Sequence, residues 1–211
     1  MTPVTAPTEA ADARAIAAAK RLLRDAVRVR RAARATDRRG HDDEQRFARL
    51  TEQLTARPVR RLAAYLSAGT EPDSLRLVAW AVAHDLEVLL PVLTDGAGAW
   101  LPEPAWAAYA GPDALREGRS GILEPTGPLL GGDPLSTVDL LVVPGLAADA
   151  HGRRLGRGGG WYDRARAAHP DLETWLLLND DELLEVVPTD RWDVPVHRLV
   201  TPTRVLTMSS P

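Results

Sequence analysis

Residues Asp139 to Val143 (DLLVV) form a short apolar run that stops at Pro144-Gly145. Such a run, bounded by turn formers, reads as a buried strand of a parallel sheet, apolar on both faces. Beyond it the chain reads GLAADAHGRRLGRGGGWYD, with glycines at 152, 156, 158, 159 and 160, and a helix is expected over 161–168. Strand, glycine-rich loop and helix in that order are the parts of an α/β unit and the usual setting of an anion site. Glycines let successive backbone N–H groups converge on phosphate oxygens, and a helix start adds its dipole. Arg153, Arg154 and Arg157 supply charge, and a guanidinium can grip phosphate through two donors. Trp161 and Tyr162 can stack on a planar ring, and Asp163 can hold a metal on the phosphates. The pattern is not a Walker loop, because no GK[ST] follows, nor a dinucleotide fingerprint in correct form. Composition alone also allows a flexible surface loop; the placement between strand and helix favours the phosphate site.

The rest of the chain fits one such domain. Its 211 residues can bury a full core, with Met1–Pro7 as a flexible tail and residues 8–211 as a single domain. Thr8 to about Arg34 reads as one long helix with Ile16, Leu22, Leu23, Ala26 and Val27 on its inward stripe. A second helix opens at Asp42-Asp43-Glu44 and runs to about Ala56, its acids at the positive end. Strands are expected over 59–67 and 87–93, where Pro91 argues for an edge or a kink. Between them lies a helix over 73–84 with Leu75, Val78, Ala79 and Val82 inward. The Gly- and Pro-rich stretch from Thr94 to Pro134 should hold a short hairpin and loops. A strand over 174–178, a helix over 180–186 and strands over 198–201 and 204–206 complete the pattern. Strands alternating with helices define an α/β fold with a mostly parallel sheet.

Several functions are excluded or weakened. With no cysteine, there is no disulfide framework, thiolate nucleophile or thiolate metal site, and a reducing cytoplasm suits the chain. No apolar run reaches membrane-spanning length, and the N-terminus lacks a secretory h-region. His41, His84, His151, His169 and His197 are not spaced as a zinc site. The segment from Ala10 to Arg61 carries +8 within a chain of net charge −3. That suggests a solvated face or a phosphate-facing segment; without a nucleic-acid motif or a basic domain, nucleic-acid binding is a weak rival. Of the 26 basic side chains only Lys20 is lysine, a hint that a compact ammonium is needed there.

The segment VPGLAADAHGRRLGRGGGWYD closely resembles the signature of the 5-formyltetrahydrofolate cyclo-ligases, also called methenyltetrahydrofolate synthetases. That signature runs PGLAFD, a small spacer, G, one residue, RLGRG, K or G, then GYYD. Collinear matches extend the resemblance over residues 20–202. Lys20 to Arg24 resembles the family's K-x-x-x-R helix start. Tyr65 to Glu71 resembles its strand and turn leading to a Glu, with Ser74 at a usual Thr. Gly121 to Pro125 resembles its GI-x-EP, and Val187-Pro188, Asp193 and Val200-Thr201-Pro202 its C-terminal VP…D…VTP.

The resemblance implies a three-layer fold similar to sugar-phosphate isomerases and coenzyme A transferases. It implies conversion of 5-formyltetrahydrofolate and MgATP into 5,10-methenyltetrahydrofolate, ADP and phosphate by a cytoplasmic enzyme, monomeric or weakly self-associating. By position, Lys20 and Arg24 would reach the ATP phosphates from one helical face. Arg154, Leu155, Gly156, Arg157, Gly158, Gly159, Gly160, Trp161 and Tyr162 would wrap ATP. Arg157 to Trp161 would also touch the folate, with Leu66 and Glu71 lining its site. Arg157 and Lys20 would carry catalysis, Asp163 and Asp193 would hold Mg²⁺, and Glu124 is a further candidate contact. The chain departs from the family at Ala148 (usually Phe), Gly159 (often Lys), Trp161 (a Tyr) and His197 (often Asp). A catalytically silent paralogue that binds nucleotide or folate is the alternative these departures leave open.

Overall fold

A computed structural model describes residues 6–208. In chain order the elements are α1 (Ala6–Ala33), α2 (Thr36–Thr55), β1 (Arg61–Ala63), α3 (Leu75–Ala83), β2 (Glu87–Thr94), β3 (Trp100–Ala108), β4 (Leu115–Glu117) and β5 (Leu123–Pro125). Then come β6 (Leu140–Val143), β7 (Ala147–Ala148), β8 (Arg154–Leu155), α4 (Trp161–Arg166), β9 (Thr174–Leu177), β10 (Arg198–Val200) and β11 (Val205–Thr207). Seven strands make one sheet in the order β11-β10-β9-β6-β1-β2-β3. The five central strands are parallel, and β3 and β11 close the edges antiparallel.

The period of two along each strand explains the layering. Leu62, Val88, Leu90, Leu140, Val142, Trp175 and Leu177 face a core completed by Leu50 and Leu54 of α2 and Leu77, Val78 and Ala81 of α3. The alternate residues Ala63, Leu89, Leu141, Val143 and Leu176 face the opposite core, where Trp161 and Ala165 of α4 pack. A small third cluster joins Val27 of α1 to Leu146, Ala147, Leu155 and Val187. No described helix is long and apolar enough to cross a membrane.

Several expectations change. Of the proposed tail, residues 1–5 lie outside the described residues, and α1 already includes Ala6 and Pro7. The inward stripe of α1 is only partly the expected one: Val27 is buried and Ile16 and Leu23 are half-buried, but Leu22 is 72% exposed and Ala26 is exposed, while Lys20 and Arg31 are buried. This helix packs a mixed polar stripe against a site, so hydrophobic periodicity misreads its phase. α2 starts six residues early, which puts Asp42 and Asp43 inside the helix. There Asp42 pairs with Arg34 at 2.6 Å and Arg38 at 2.9 Å. In α3 the buried residues are Leu77, Val78 and Ala81, while Leu75 and Val82 face out. Pro91 lies in an interior strand, yet at a local edge. Leu89 accepts from Ala64 on the β1 side, and β1 pairs only as far as Leu89, so Pro91 faces a vacated position where no N–H is needed. The stretch 94–134 holds the expected short hairpin, β4 with β5, and also the unexpected nine-residue β3, which pairs with β2. The expected helix over 180–186 is one 3-10 turn, Asp180–Glu182.

Candidate active site

The C-terminal ends of the parallel strands carry the site, as open α/β sheets dictate. The glycine-rich segment is not a plain loop. Ala147–Ala148 and Arg154–Leu155 pair as a hairpin, turned by Asp149 and Gly152. The buried Asp149 carboxylate takes the N–H groups of His151, Arg153 and Val187, and Arg153 Nε at 2.6 Å. Arg153 is therefore spent on the hairpin rather than on a ligand. Gly152 has φ +73°, and a Cβ there would lie 2.3 Å from the Val196 carbonyl oxygen. α4 is only six residues long, so the expected dipole contribution is small.

The loop that leaves this hairpin divides two cavities. One, about 520 Å³, lies between the loop, α1, α4 and the Asp190–Asp193 turn. Ala13, Ile16, Ala17, Lys20 and Arg24 line it from α1. Their spacing of three, four and seven residues puts them on one helical stripe, apolar at one end and basic at the other. The second cavity, about 190 Å³, is apolar and lies against the strand ends. Leu66, Glu71, Arg157, Gly159, Trp161 and Tyr162 line it, with Tyr65, Leu93, Trp100 and Ile122. Arg154, Gly156, Gly160 and Asp163 border both cavities.

Three ion pairs set the electrostatics. Lys20 Nζ donates to Asp193 Oδ2 at 2.5 Å, and Asp190 N–H reaches the same oxygen at 2.8 Å. Arg154 donates to Asp163 Oδ1 at 2.8 Å and to the Pro144 carbonyl at 3.0 Å. Arg157 donates to Glu71 Oε1 at 2.9 Å across the second cavity, while Glu71 Oε2 accepts from Ala68 N–H. Arg24 holds the Gly156 carbonyl through Nε at 2.8 Å. Burial first, then the neighbouring Arg28, lowers its pKa, and it stays a cation at neutral pH. Burial first, and the Glu71 charge second, pushes the Tyr162 hydroxyl well up, so it remains protonated. Arg166, lowered to about 10 by burial and then by Arg154, donates to the carbonyls of Val194 and Pro195 and so anchors the turn that carries Asp193.

The cavities thus bring together every residue the sequence nominated except Arg153 and Glu124, and they divide the set more sharply. Lys20, Arg24, Leu155, Gly158 and Asp193 face only the polar cavity. Leu66, Glu71, Arg157, Gly159, Trp161 and Tyr162 face only the apolar one. Glu124 is fully buried behind β2, bonded to Thr94 N–H and hydroxyl, and lines neither. Sequence reading missed Trp100, because β3 was unrecognised, and Trp192, which no motif marks. Asp163 and Asp193 each engage one carboxylate oxygen and leave the other out of these bonds. No cluster of three or more metal-ligating carboxylates or imidazoles occurs among the described residues. Two carboxylates fit a Mg²⁺ whose remaining positions are filled by phosphate oxygens and water.

A model of the 5-formyltetrahydrofolate cyclo-ligase family matches residues 16–202. The chain is 37% identical over 147 residues to a 5-formyltetrahydrofolate cyclo-ligase of Mycolicibacterium smegmatis, covering 69% of this chain and 75% of that one. It is 34% identical over 161 residues to the 5-formyltetrahydrofolate cyclo-ligase of Escherichia coli K12, covering 74% and 86%. The solution structure of an Aquifex aeolicus 5,10-methenyltetrahydrofolate synthetase superposes with a TM-score of 0.75 at 27% identity, over 91% of this chain and 94% of that one. A Mycoplasma pneumoniae 5,10-methenyltetrahydrofolate synthetase shares the fold, with a TM-score of 0.68 at 17% identity over 87% and 98%.

Proposed function

The chain belongs to the 5-formyltetrahydrofolate cyclo-ligase family, and on that footing we propose how its residues drive the ring closure of 5-formyltetrahydrofolate to 5,10-methenyltetrahydrofolate with ATP. The observation that carries the assignment is the pair of cavities, one polar and one apolar, sharing the wall Arg154–Gly156–Gly160–Asp163. ATP takes the polar cavity, its phosphates toward Lys20, Arg24 and the loop. The folate takes the apolar cavity, with its planar ring near Trp161, Tyr162 and Leu66 and a polar edge toward Glu71. The shared wall is where the γ-phosphate and the formyl oxygen meet.

The chemistry needs no covalent nucleophile from the protein. The formyl oxygen attacks the γ-phosphorus, ADP leaves, and the formyl carbon becomes an imidate phosphate. N10 then attacks that carbon, loses its proton, and phosphate departs with the former formyl oxygen. The protein supplies proximity and charge neutralisation. Lys20 and Arg24 draw the triphosphate into line, and Arg154 and Arg157 face the charge that moves onto the transferred group. A triphosphate competes with Asp193 for Lys20 and with Asp163 for Arg154. Asp163 and Asp193 are the residues that would hold Mg²⁺, which neutralises phosphate charge when bound. Residues 8–211 act as one domain built on the single seven-stranded sheet, and the kinship with sugar-phosphate isomerase-like folds belongs to the same reading. So does a monomeric cytoplasmic enzyme, in keeping with the lack of cysteine.

The test is optical. Purified protein with 5-formyltetrahydrofolate, ATP and Mg²⁺ should produce the near-ultraviolet absorbance of the methenyl product, and omission of either ATP or Mg²⁺ should abolish it. A flat trace from folded protein would overturn the catalytic reading and favour the silent paralogue.

A further inference from the structure

Trp192 is 68% exposed, yet it lines the polar cavity, at the turn that carries Asp193. An exposed tryptophan normally costs solubility and finds cover; this one has a guanidinium over its ring. Arg191 lies over one face of the ring, 4.5 Å from its centroid, and does not itself line the cavity. The other face is open to a planar ligand. The same cavity is lined by Ala13, Ile16 and Ala17 of α1, with Ala167 after α4. These are small or aliphatic and leave room for a flat ring. Lys20 and Arg24 continue the same helical stripe. From Ala13 to Arg24 the stripe spans on the order of 16 Å, the scale of an extended nucleoside triphosphate.

We propose that Trp192 is a base-binding residue that stacks on the base of the ATP co-substrate, and that α1 reads the nucleotide lengthwise, base against Ala13, Ile16 and Ala17 and triphosphate against Lys20 and Arg24. The assignment rests on the nucleotide reading of this cavity and adds its polarity and its base contact. The base end holds few polar side chains: Asp190 Oδ1 already accepts from Trp192 N–H, and Arg164 is tied to the Gly159 carbonyl. Recognition there is therefore mainly through the face of the base rather than its edge, the sequence-tolerant mode of aromatic stacking.

The experiment compares two probes, ATP and inorganic tripolyphosphate, each with Mg²⁺, by titration calorimetry on the full chain. Tripolyphosphate carries the charge without the base. Trp192→Ala should weaken ATP roughly 5- to 100-fold and leave tripolyphosphate unchanged. Trp192→Phe should recover most of the ATP affinity, and Lys20→Ala should weaken both probes. Unchanged ATP affinity in Trp192→Ala, or an equal loss for both probes, would overturn the stacking role while leaving the nucleotide site in place. Wild-type protein that binds neither probe would overturn the nucleotide reading of the cavity, and the stacking role with it. The exposure of Trp192 makes a folding defect in these variants readily separable, by an unchanged melting temperature.

Discussion

Asp163 serves two purposes that a single substitution confuses. It lines both cavities, and it neutralises Arg154, which is buried and whose Nε has no partner. Asp163→Ala should therefore cost stability as well as turnover, about 3 kcal/mol by the cost of stranding a buried cation. Asp163→Asn keeps an acceptor for Arg154 and isolates the proposed metal role. We expect it to reduce kcat at least 100-fold with a smaller fall in urea midpoint than Asp163→Ala. Lys20 and Glu71 separate the two substrates. Lys20→Ala should raise KM for ATP roughly 10- to 100-fold, the range of a lost charged hydrogen bond, and leave KM for the folate within about twofold. Glu71→Gln should do the reverse, because Glu71 faces only the apolar cavity. Steady-state kinetics with each substrate varied in turn would expose swapped sites.

At the scale of elements, α1 is attached by charge more than by apolar packing. Arg31 donates to both oxygens of Glu182, at 2.7 and 2.8 Å, and both side chains are buried. Burial alone would lower the Arg31 pKa, but the Glu182 hydrogen bond and charge outweigh it, and the net shift is upward. Glu182 also accepts from Asn179 N–H and Nδ2, closing the turn after β9. Glu182→Gln should destabilise by about 3 kcal/mol in chemical denaturation and raise KM for ATP, since α1 carries Lys20 and Arg24. The hairpin of the glycine segment makes a second comparison. Gly152→Ala meets both a left-handed backbone and the Val196 carbonyl, and should lower the melting temperature by at least about 5 °C. Gly159→Ala meets nothing within 4 Å and should leave it within about 2 °C.

At the scale of the whole molecule, His197 couples folding to pH. His197 leads into β10, exchanges backbone bonds with Thr174 and Met208, and accepts through Nδ1 from Thr174 N–H at 3.1 Å. Burial first, with Arg166 adding and the Glu173 charge opposing, lowers its pKa below the ordinary 6.5. Between the folded and unfolded values the unfolded chain binds more protons, so folding stability falls as pH drops below about 6.5. Urea midpoints measured at pH 7.5 and 5.5 should show that loss. His197→Asn, which keeps an acceptor for Thr174, should lose part of it; an identical pH dependence would sink the assignment.

The sequence by itself determined the class of sheet and marked out the glycine-rich loop and most of the residues that line the two cavities. Those signals are local: an apolar run is buried wherever it goes, and a glycine's freedom or a carboxylate's charge travels with its own residue. The parallel core from DLLVV and the collinear family motifs were legible for that reason. The tertiary structure decided which nominated residues face which cavity. Arg153 turns onto Asp149 and Glu124 is buried behind β2, although both carry the right chemistry. Part of the α1 stripe and the start of α2 were missed because these helices bury Lys20, Arg31, Asp42 and Arg46 in ion pairs, and such pairing depends on partners up to 173 residues away. The division into two cavities with one shared wall has no sequence signature. It exists only where α1, the glycine loop and the Asp193 turn meet in space.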